Sequence, residues 1–408
     1  MTRPTYVTIG AGQTAAVAAR NLRRRGFDGR IVLIGDEPYA PYQRPPLSKE
    51  FLTGAETEDT LWILRPSWVA DNDVEIVTGV TATRVDTASG TVEFADGAAL
   101  SADAVLFATG GAPRTLTVPG PRPDLVHYLR TLDDAERLAP LLTPGRRLAV
   151  IGAGFIGLEI AATATAAGAT VTVLETAPVP LARAIGTEMG ALLTRLHRDN
   201  GIDLRTGTAV GSLRTTADAV VIGSEEFDAV VIGIGITPNV TAAVASGLAV
   251  DDGIIVDATG RTAVPNVYAA GDVARRYSPR AGRHVRVEHF DNASRQGVAV
   301  ADAMLGNDTI SDDPHWFWSD QFDRNMQFIG TAHGEPAIRG NRDGMDFTGF
   351  YFDGGVLCGA FTVERGEDIS AVREMLGREL DVAALCDEDT DLFDIAFADE
   401  EEEAQVHA

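Results

Sequence analysis

The chain has few of the residues from which metal sites and redox thiols are built. Its 408 residues include two cysteines, Cys358 and Cys386, which form no Cys-x-x-Cys pair, and seven histidines that show no close ligand spacing. A disulfide framework, a zinc site and an iron–sulfur cluster are therefore not expected, and no metal is predicted.

Long apolar runs are also missing. No run approaches the roughly 18 residues that a membrane helix needs. Strand-like residues begin by Tyr6, which leaves no room for a signal peptide. We expect a cytoplasmic protein that makes no contact with a membrane.

Positive charge is scarce. The formal net charge is −25, and residues 387–408 hold ten acids with no lysine or arginine, which leaves −15 for the remainder. A chain of this charge is not expected to bind nucleic acid. We interpret residues 387–408, which include the run Glu400–Glu403, as a solvated acidic tail.

Lysine is almost absent, since Lys49 is the only lysine among 34 basic residues. Genome composition that favours arginine codons explains the bias itself. Lys49, however, follows the proline-stiffened segment 44–48, and a compact ammonium whose pKa can shift is not interchangeable with guanidinium. A site role is favoured over an ordinary surface lysine.

Two glycine-rich turns of the same kind carry most of the functional signal. They are Gly10–Ala15 and Gly152–Gly157, and each lies between a strand-like and a helix-like segment. A second strand-like segment then ends in an acid, Asp36 or Glu37 in the first case and Glu175 in the second. This is the dinucleotide-binding fingerprint, in which the glycines allow a tight turn and close approach of a pyrophosphate to a helix N-terminus. Two fingerprints predict two dinucleotides, and the economical pair is a bound flavin and a nicotinamide.

Glu175 indicates which nicotinamide. A carboxylate at a strand end accepts hydrogen bonds from both ribose hydroxyls and repels a 2′-phosphate. Residues 176–180 contain no cation to hold such a phosphate. NADH is therefore expected over NADPH, the alternative being an ordinary exposed glutamate.

The order of elements predicts an α/β protein. We expect two Rossmann-like dinucleotide-binding domains, the NAD domain inserted in the FAD domain, and a C-terminal α+β domain. The predicted FAD domain comprises residues 1–113 and 243–315, and the NAD domain residues 114–242. The C-terminal domain covers residues 316–386, before the acidic tail at 387–408.

The motifs resemble those of a known family. Two strings carry the resemblance most specifically, RPPLSK at residues 44–49 and WFWSDQ at residues 316–321, and Ala270–Asp272 and Gly233–Asn239 add to it. The chain resembles the glutathione-reductase-type flavoproteins, and within them the putidaredoxin-reductase-like NADH-dependent ferredoxin and rubredoxin reductases, over nearly its whole length.

The resemblance implies roles for individual residues. Those implied to bind FAD are Gly10, Gly12, Thr14 and Ala15 at the pyrophosphate, Asp36 at the adenosine ribose, and Arg44, Lys49, Ala82, Arg130, Asp272, Phe290 and Trp318 elsewhere along the cofactor. Those implied to bind NADH are Gly152, Gly154, Ile156, Gly157, Glu159, Glu175 and Gly235. Ala15 departs from the usual glycine, which is tolerated if helix and strand lie slightly farther apart. Phe290 replaces another apolar or aromatic residue of the relatives.

Lys49 and Glu159 are the implied catalytic pair beside the isoalloxazine, where Lys49 would stabilise negative charge on reduced flavin. Simpler roles stay open for several residues. Glu159 could complement a helix dipole, Asp272 could cap a helix, Trp318 could be core, and Arg130 could form a surface ion pair.

The acceptor is inferred from a missing thiol. Relatives that reduce disulfides or peroxides need cysteines near the flavin, whereas residues 40–45 contain none. The resemblance implies an NADH-dependent reductase of a [2Fe–2S] ferredoxin that serves a cytochrome P450 or a ring-hydroxylating dioxygenase, and a monomer or weak dimer. Trp318 would mark the electron exit, with Arg295 and Arg324 near it in sequence. The alternatives are an NADH oxidase or quinone reductase, and a flavoprotein NADH sensor.

Overall fold

The strand–turn–helix pattern predicted at both glycine-rich turns is present in the computed structural model, which describes residues 3–398. The strands of these residues are, in chain order, β1 (Thr5–Ile9), β2 (Arg30–Ile34), β3 (Val74–Val77), β4 (Ala82–Asp86), β5 (Thr91–Phe94), β6 (Ala99–Ser101), β7 (Ala104–Phe107), β8 (Gly111–Pro113), β9 (Val126–His127), β10 (Arg147–Ile151), β11 (Thr170–Leu174), β12 (Asp203–Arg205), β13 (Leu213–Thr215), β14 (Val220–Ile222), β15 (Glu225–Phe227), β16 (Ala229–Ile232), β17 (Ile236–Pro238), β18 (Ile254–Val256), β19 (Val267–Ala269), β20 (Ala274–Ser278), β21 (Arg283–Val285), β22 (Trp316–Gln321), β23 (Arg324–Gly330), β24 (Ala337–Asn341), β25 (Asp346–Asp353) and β26 (Val356–Val363). The helices are α1 (Gln13–Arg24), α2 (Glu50–Thr53), α3 (Glu58–Leu61), α4 (Pro66–Asp71), α5 (Leu132–Leu138), α6 (Phe155–Ala166), α7 (Ala182–Asp199), α8 (Thr241–Ala245), α9 (Phe290–Met304), α10 (Asp368–Met375) and α11 (Val382–Cys386).

The chain divides into two units. The first comprises Met1–Pro46, Glu56–Pro113 and Ile236–Asp313, and the second comprises Leu47–Ala55, Arg114–Gly235 and Pro314–Ala408. The first unit is left after Pro113 and entered again at Ile236, and the short segment Leu47–Ala55 belongs with the second unit.

The first unit is built on a parallel sheet of order β19–β7–β1–β2–β3. Alternate residues of β2 enter different cores, because Ile31 and Leu33 pack on the α1 side and Val32 and Ile34 on the other. Burial of both faces explains why these strands read as continuous apolar runs. The strand that carries the first glycine-rich turn, β1, is central, so its carboxyl end lies at the point where strand order reverses.

The second unit repeats this arrangement with a parallel sheet of order β12–β11–β10–β16–β9. The strand that carries the second glycine-rich turn, β10, again lies between its sequence neighbour β11 and a later strand. The predicted class, two Rossmann-like domains in an α/β protein, is confirmed by this topology and by the structural neighbours given below.

The C-terminal part of the second unit is an antiparallel sheet of order β22–β23–β26–β25–β24 with α10 and α11. The sequence predicted that residues 387–408 form a solvated tail. As far as residue 398, the structure shows packed residues instead. Residues 392–398 are helical, and Leu392 and Ala396 are buried in the same core as Ile369 and Val372 of α10. The run Glu400–Glu403 lies outside the described residues.

No helix within residues 3–398 combines the length and the apolar composition required to cross a membrane.

Candidate functional site

The first glycine-rich turn has the backbone conformation that the fingerprint requires. Gly10 has a φ of 104°, and a Cβ there would overlap the carbonyl oxygen of Ala108. At Gly12, by contrast, no described atom lies within 4 Å of where a Cβ would be. Gly12 is also the N-cap of α1, which has no side-chain cap and no acid in its first turn among the described residues. The turn therefore offers an open helix N-terminus, which fits the pyrophosphate of a dinucleotide.

Thr14 and Ala15, in the first turn of α1, are buried and pack against neighbouring elements. The Thr14 hydroxyl donates to the carbonyl of Ala293 on α9 at 3.1 Å, and Ala15 is fully buried. Gly271, which has a φ of 80°, approaches Thr14 so closely that a Cβ would overlap its hydroxyl. This contact places the Gly-Asp motif, and with it Asp272, beside the first turn of α1.

Asp36 and Glu37 are adjacent acids in different environments, and Glu37 is ion-paired with Arg44. Asp36 is exposed, two residues beyond the end of β2. Arg44 forms an ion pair of 2.5 Å with Glu37, and the Tyr42 hydroxyl donates to Glu37 as well. Of the two acids that the sequence left open, Asp36 therefore has the exposed side chain, whereas Glu37 fixes the Arg44 guanidinium.

The remaining first-unit predictions lie on regular elements. Ala82 begins β4, opposite Phe94, and packs at the edge of the apolar core. Phe290 is the first residue of α9, whose N-cap is His289. Both side chains are partly exposed.

The second glycine-rich turn repeats the first. Gly152 has a φ of 99°, and a Cβ there would overlap the carbonyl oxygen of Gly233. Gly154 is the N-cap of α6, and its nearest described neighbour, the same Gly233 oxygen, is 4.0 Å from a Cβ position. A Cβ on Gly157 would overlap the carbonyl oxygen of Gly152. Tight first and third positions with an open second position are what a pyrophosphate-binding turn needs.

Glu175 lies directly against this turn. Its carboxylate accepts hydrogen bonds from the Ala153 N–H at 2.6 Å and from the Ala177 N–H at 2.7 Å. Ile156, in the first turn of α6, is 42% exposed, an unusual position for an isoleucine beside a buried sheet. Gly235 has a φ of 97°.

Lys49 and Glu159 form a buried ion pair. The Lys49 ammonium lies 3.3 Å from Glu159 Oε2, and the exposed fractions of the two side chains are 13% and 5%. The Ser48 hydroxyl donates to the same oxygen, and the Ser319 hydroxyl donates to Oε1 at 2.7 Å. Burial raises the pKa of the Glu159 carboxyl, and Lys49 and the two hydroxyls oppose that rise. Both prolines of segment 44–48 precede this pair in a single 3-10 turn, Pro45–Ser48.

The WFWSDQ motif forms β22, and its side chains alternate between two faces. The Trp316 and Trp318 rings stack at 5.3 Å on one face. Phe317 and Ser319 lie on the other, where Phe317 meets the Phe155 ring of α6 at 4.4 Å and Ser319 meets Glu159. The motif therefore places its tryptophans and its serine on different surfaces.

Of the two arginines that lie near Trp318 in sequence, Arg324 lies on the opposite face of its sheet. Arg324 pairs with Gln321 across the β22–β23 hairpin and so lies on the Ser319 face rather than the Trp318 face. Arg295 belongs to the first unit, where it forms ion pairs with Asp291 and Asp313. Arg130 precedes α5, and its backbone N–H donates to Asp134 at 3.0 Å.

Sequence reasoning missed the polar side chains around Glu159. Ser48, Ser319 and Gln321 lie inside motifs that the resemblance had already singled out, yet no role was assigned to them. His197, in α7, was not singled out at all. A signal was present, because Ser319 and Gln321 are two residues apart, the spacing of side chains that share one strand face.

Comparison with known proteins identifies the family. The model of the pyridine nucleotide-disulphide oxidoreductases matches residues 4–297, and that of the reductase C-terminal domain matches residues 316–396. The chain belongs to the pyridine nucleotide-disulphide oxidoreductase family. This result confirms the resemblance seen in the motifs.

Individual relatives within the family are moderately similar. The chain is 38% identical to rhodocoxin reductase of Rhodococcus erythropolis over 400 residues, covering 96% of this chain and 93% of the relative. It is 37% identical to the anthranilate 1,2-dioxygenase system ferredoxin–NAD(+) reductase component of Burkholderia cepacia, with coverages of 92% and 95%. The reductase in the covalent putidaredoxin reductase–putidaredoxin complex superposes with a TM-score of 0.91 at 34% identity, over 98% of this chain and 99% of that one.

Membership accounts for the two glycine-rich turns. The family, with its putidaredoxin reductases, uses FAD and NADH, so the predicted cofactors and the predicted oxidoreductase class are confirmed. The two open helix N-termini at Gly12 and Gly154 fit this pair of dinucleotides.

Proposed function

We propose that the protein is an NADH-dependent ferredoxin reductase that supplies single electrons to a [2Fe–2S] ferredoxin of a cytochrome P450 or ring-hydroxylating dioxygenase system. Its relatives include reductases named for dioxygenase systems and a reductase crystallised with putidaredoxin. Bound FAD supplies the redox chemistry, because it accepts a hydride from NADH and passes electrons on one at a time.

The proposal rests on the number, position and raised pKa of the cysteine thiols. Cys358 and Cys386 are the only cysteines of the sequence. Both lie in the C-terminal part of the second unit, and burial raises the pKa of each. A reactive redox thiol needs a lowered pKa and, to form an internal disulfide, a second thiol beside it. We infer that electrons leave the flavin without a thiol relay, which fits a one-electron acceptor protein.

The residues of the second unit bind and orient the nicotinamide dinucleotide in this proposal. Gly152, Gly154 and Gly157 shape the turn that receives the pyrophosphate, and Glu175 accepts hydrogen bonds from the adenosine ribose. Each Glu175 oxygen already accepts one backbone N–H, which holds the carboxylate in place. The Thr176 hydroxyl also donates to Oε1 at 3.2 Å, so Oε2 keeps a lone pair for a ribose hydroxyl.

Lys49 and Glu159 act by fixing a charge in the site, and neither transfers a proton to the substrate. Their buried pair holds a fixed positive charge at Lys49, and a preorganised charge in a partly dehydrated site favours transfer of a hydride towards it. In the first unit, Gly12 and the N-terminus of α1 bind the FAD pyrophosphate, with Asp272 beside them.

The proposal is tested by NADH oxidation with and without an added [2Fe–2S] ferredoxin, read as cytochrome c reduction. Strong dependence on the ferredoxin is expected. Fast quinone or oxygen turnover that the ferredoxin does not increase would instead identify a quinone reductase or oxidase. Slow turnover with a persistent long-wavelength absorbance band would identify an NADH sensor.

A further inference from the structure

A chain of buried hydrogen bonds extends from Glu159 into the protein along one face of β22. Ser319 Oγ is 2.7 Å from Glu159 Oε1, Gln321 Nε2 is 3.0 Å from Ser319 Oγ, and His197 Nε2 is 2.8 Å from Gln321 Oε1. The four residues are between 0% and 4% exposed. Four polar side chains excluded from water and joined end to end form a network whose members depend on one another.

The hydrogen bonds of this network all run the same way, with each donor on the His197 side and each acceptor on the Glu159 side. His197 donates its Nε2 proton to the Gln321 carbonyl oxygen, and the Gln321 amide then donates to the Ser319 oxygen. Because the serine oxygen already accepts this bond, its single proton points to Glu159. Burial lowers the pKa of His197 to about 4, so the ring is neutral at pH 7 and donates from one nitrogen only.

Protonation of Glu159 at Oε1, the oxygen that faces Ser319, is incompatible with this direction. A protonated Glu159 Oε1 would donate to Ser319, the serine would have to donate to Gln321, and the amide would have to turn over. His197 would then need its proton on the other ring nitrogen. The chain as it stands therefore keeps Oε1 an acceptor. A hydrogen bond to an ionised carboxylate is stronger than one to a neutral carboxyl, so the network favours the ionised form of Glu159.

Lys49 opposes the effect of burial on the pKa of Glu159 most strongly, and the Ser48 and Ser319 hydroxyls add to this opposition. Lys49 is the charged group hydrogen-bonded to Glu159 among the described residues, and its other partners, Ser48 and Ser319, are hydroxyls. Asp320 of β22 lies on the opposite face, where it accepts from Asn325 at 2.6 Å. On α7, His197 belongs to the network and also packs against the Phe322 ring at 5.2 Å.

We propose that Ser319, Gln321 and His197 are positioning residues that keep the Glu159 carboxylate ionised and directed so that it holds Lys49 in place. This inference rests on the proposed function only for its consequence in hydride transfer. The network makes Glu159 a stable counter-ion in a site where burial alone would neutralise it.

The first test reads the Glu159 carboxyl directly in the FAD-loaded protein. Its C=O stretch is assigned by infrared difference spectroscopy as the band lost in Glu159→Gln, and is followed through a pH titration. Ser319→Ala is expected to raise the apparent pKa of Glu159 by about 1–2 units, the usual effect of one hydrogen bond to a charged group. His197→Leu should raise it by a smaller amount, and His197→Gln, which restores an N–H donor at the Nε2 position, should return it towards the native value.

Thr194→Val is the matched control. Thr194 lies three residues before His197 on α7 and is similarly buried, but its hydroxyl donates to Gly190 on its own helix at 2.9 Å. This variant should leave the titration of Glu159 unchanged. Retained flavin absorbance and circular dichroism report the folded state of each variant.

The second test is the pH profile of flavin reduction by NADH in stopped flow. The acid limb should move to higher pH in Ser319→Ala and His197→Leu, with rescue in His197→Gln. If Glu159 has the native apparent pKa in both Ser319→Ala and His197→Leu, the positioning role is overturned. If the infrared titration moves while the rate profile stays fixed, the positioning role is supported and the part of Glu159 in hydride transfer is overturned.

Discussion

Glu175 is expected to decide between NADH and NADPH because of where its carboxylate is held. Hydrogen bonds from Ala153 and Ala177 hold it against the glycine-rich turn. Glu175→Ala should lower kcat/KM for NADH by roughly 10–100-fold, since a hydrogen bond to a charged group contributes about 1.5–3 kcal/mol. Discrimination against NADPH should fall with it, as measured by steady-state ferricyanide reduction. Glu226→Ala, an exposed glutamate of the same domain, is the control, and equal losses in both variants would contradict the assignment.

Lys49 is expected to affect the rate of hydride transfer more than FAD binding. In Lys49→Met the charge beside Glu159 is lost, so flavin reduction by NADH in stopped flow should slow by about 10–100-fold while FAD remains bound. Glu159→Gln should share part of the effect, and the double variant should be less than additive, because the two residues form one pair. Native reduction rates in Lys49→Met would rule out its role.

His197 is expected to make the folded protein sensitive to acid. Its pKa is lowered from 6.5 to about 4 on folding, so the unfolded chain binds more protons between these values and stability falls as pH falls through that window. Urea unfolding at pH 7 and pH 5 should show that the native protein loses about 2 kcal/mol more than His197→Gln. Equal losses would mean that His197 is not held neutral by burial.

At the scale of the elements, two glycines of the first glycine-rich turn are expected to differ in effect. Gly12 should affect ligand binding, and Gly10 should affect the stability of the fold. Gly12→Ala meets no described atom within 4 Å and keeps an allowed φ of −101°. The apoprotein should therefore unfold at the native temperature, while FAD affinity falls by roughly 10–100-fold because the methyl group occupies pyrophosphate space. Gly10→Ala, in contrast, should destabilise the apoprotein itself, because its Cβ overlaps the Ala108 backbone at a φ of 104°. Thermal unfolding and FAD titration of both variants check the contrast, which would fail if Gly12→Ala lowered the unfolding temperature as much as Gly10→Ala.

The elements also show which parts of the site the sequence could predict. Glycine spacing is local, so both turns and the strand–helix pairs around them were readable from a few neighbouring residues. The partners of Glu159 are not local, because His197 meets Gln321 across 124 positions. Alternation in β22 predicts that Ser319 and Gln321 share a face, but the pattern does not say which helix that face meets. The same limit explains why Arg324, near Trp318 in sequence, lies on the other side of the sheet.

At the scale of the whole molecule, the described part of the C-terminal acidic segment belongs to the core of the C-terminal domain. Leu392 and Ala396 are buried in the core of the C-terminal domain, and the Arg339 guanidinium donates to the carbonyls of Asp387 and Thr390 at 2.5 and 2.8 Å. A chain that ends at residue 386 should lose several kcal/mol, because an apolar side chain such as Leu392 alone contributes about 1.5–3 kcal/mol by burial. Residues 399–408 carry five acids and no lysine or arginine, so a chain that ends at residue 398 has a net charge of −20.

The shorter truncation isolates the effect of net charge on association with an acidic ferredoxin. Ending the chain at residue 398, which keeps the buried Leu392 and Ala396, should raise ferredoxin-dependent turnover about two- to threefold at low ionic strength, because like-charge repulsion slows encounter. The gain should vanish at about 0.5 M salt, where the Debye length is only a few ångströms. Reduction of an uncharged quinone, which feels no net-charge repulsion, serves as the control and should not differ from that of the full chain at matched salt. A gain that persists unchanged across the salt series would show that the segment acts by blocking a surface rather than through its charge.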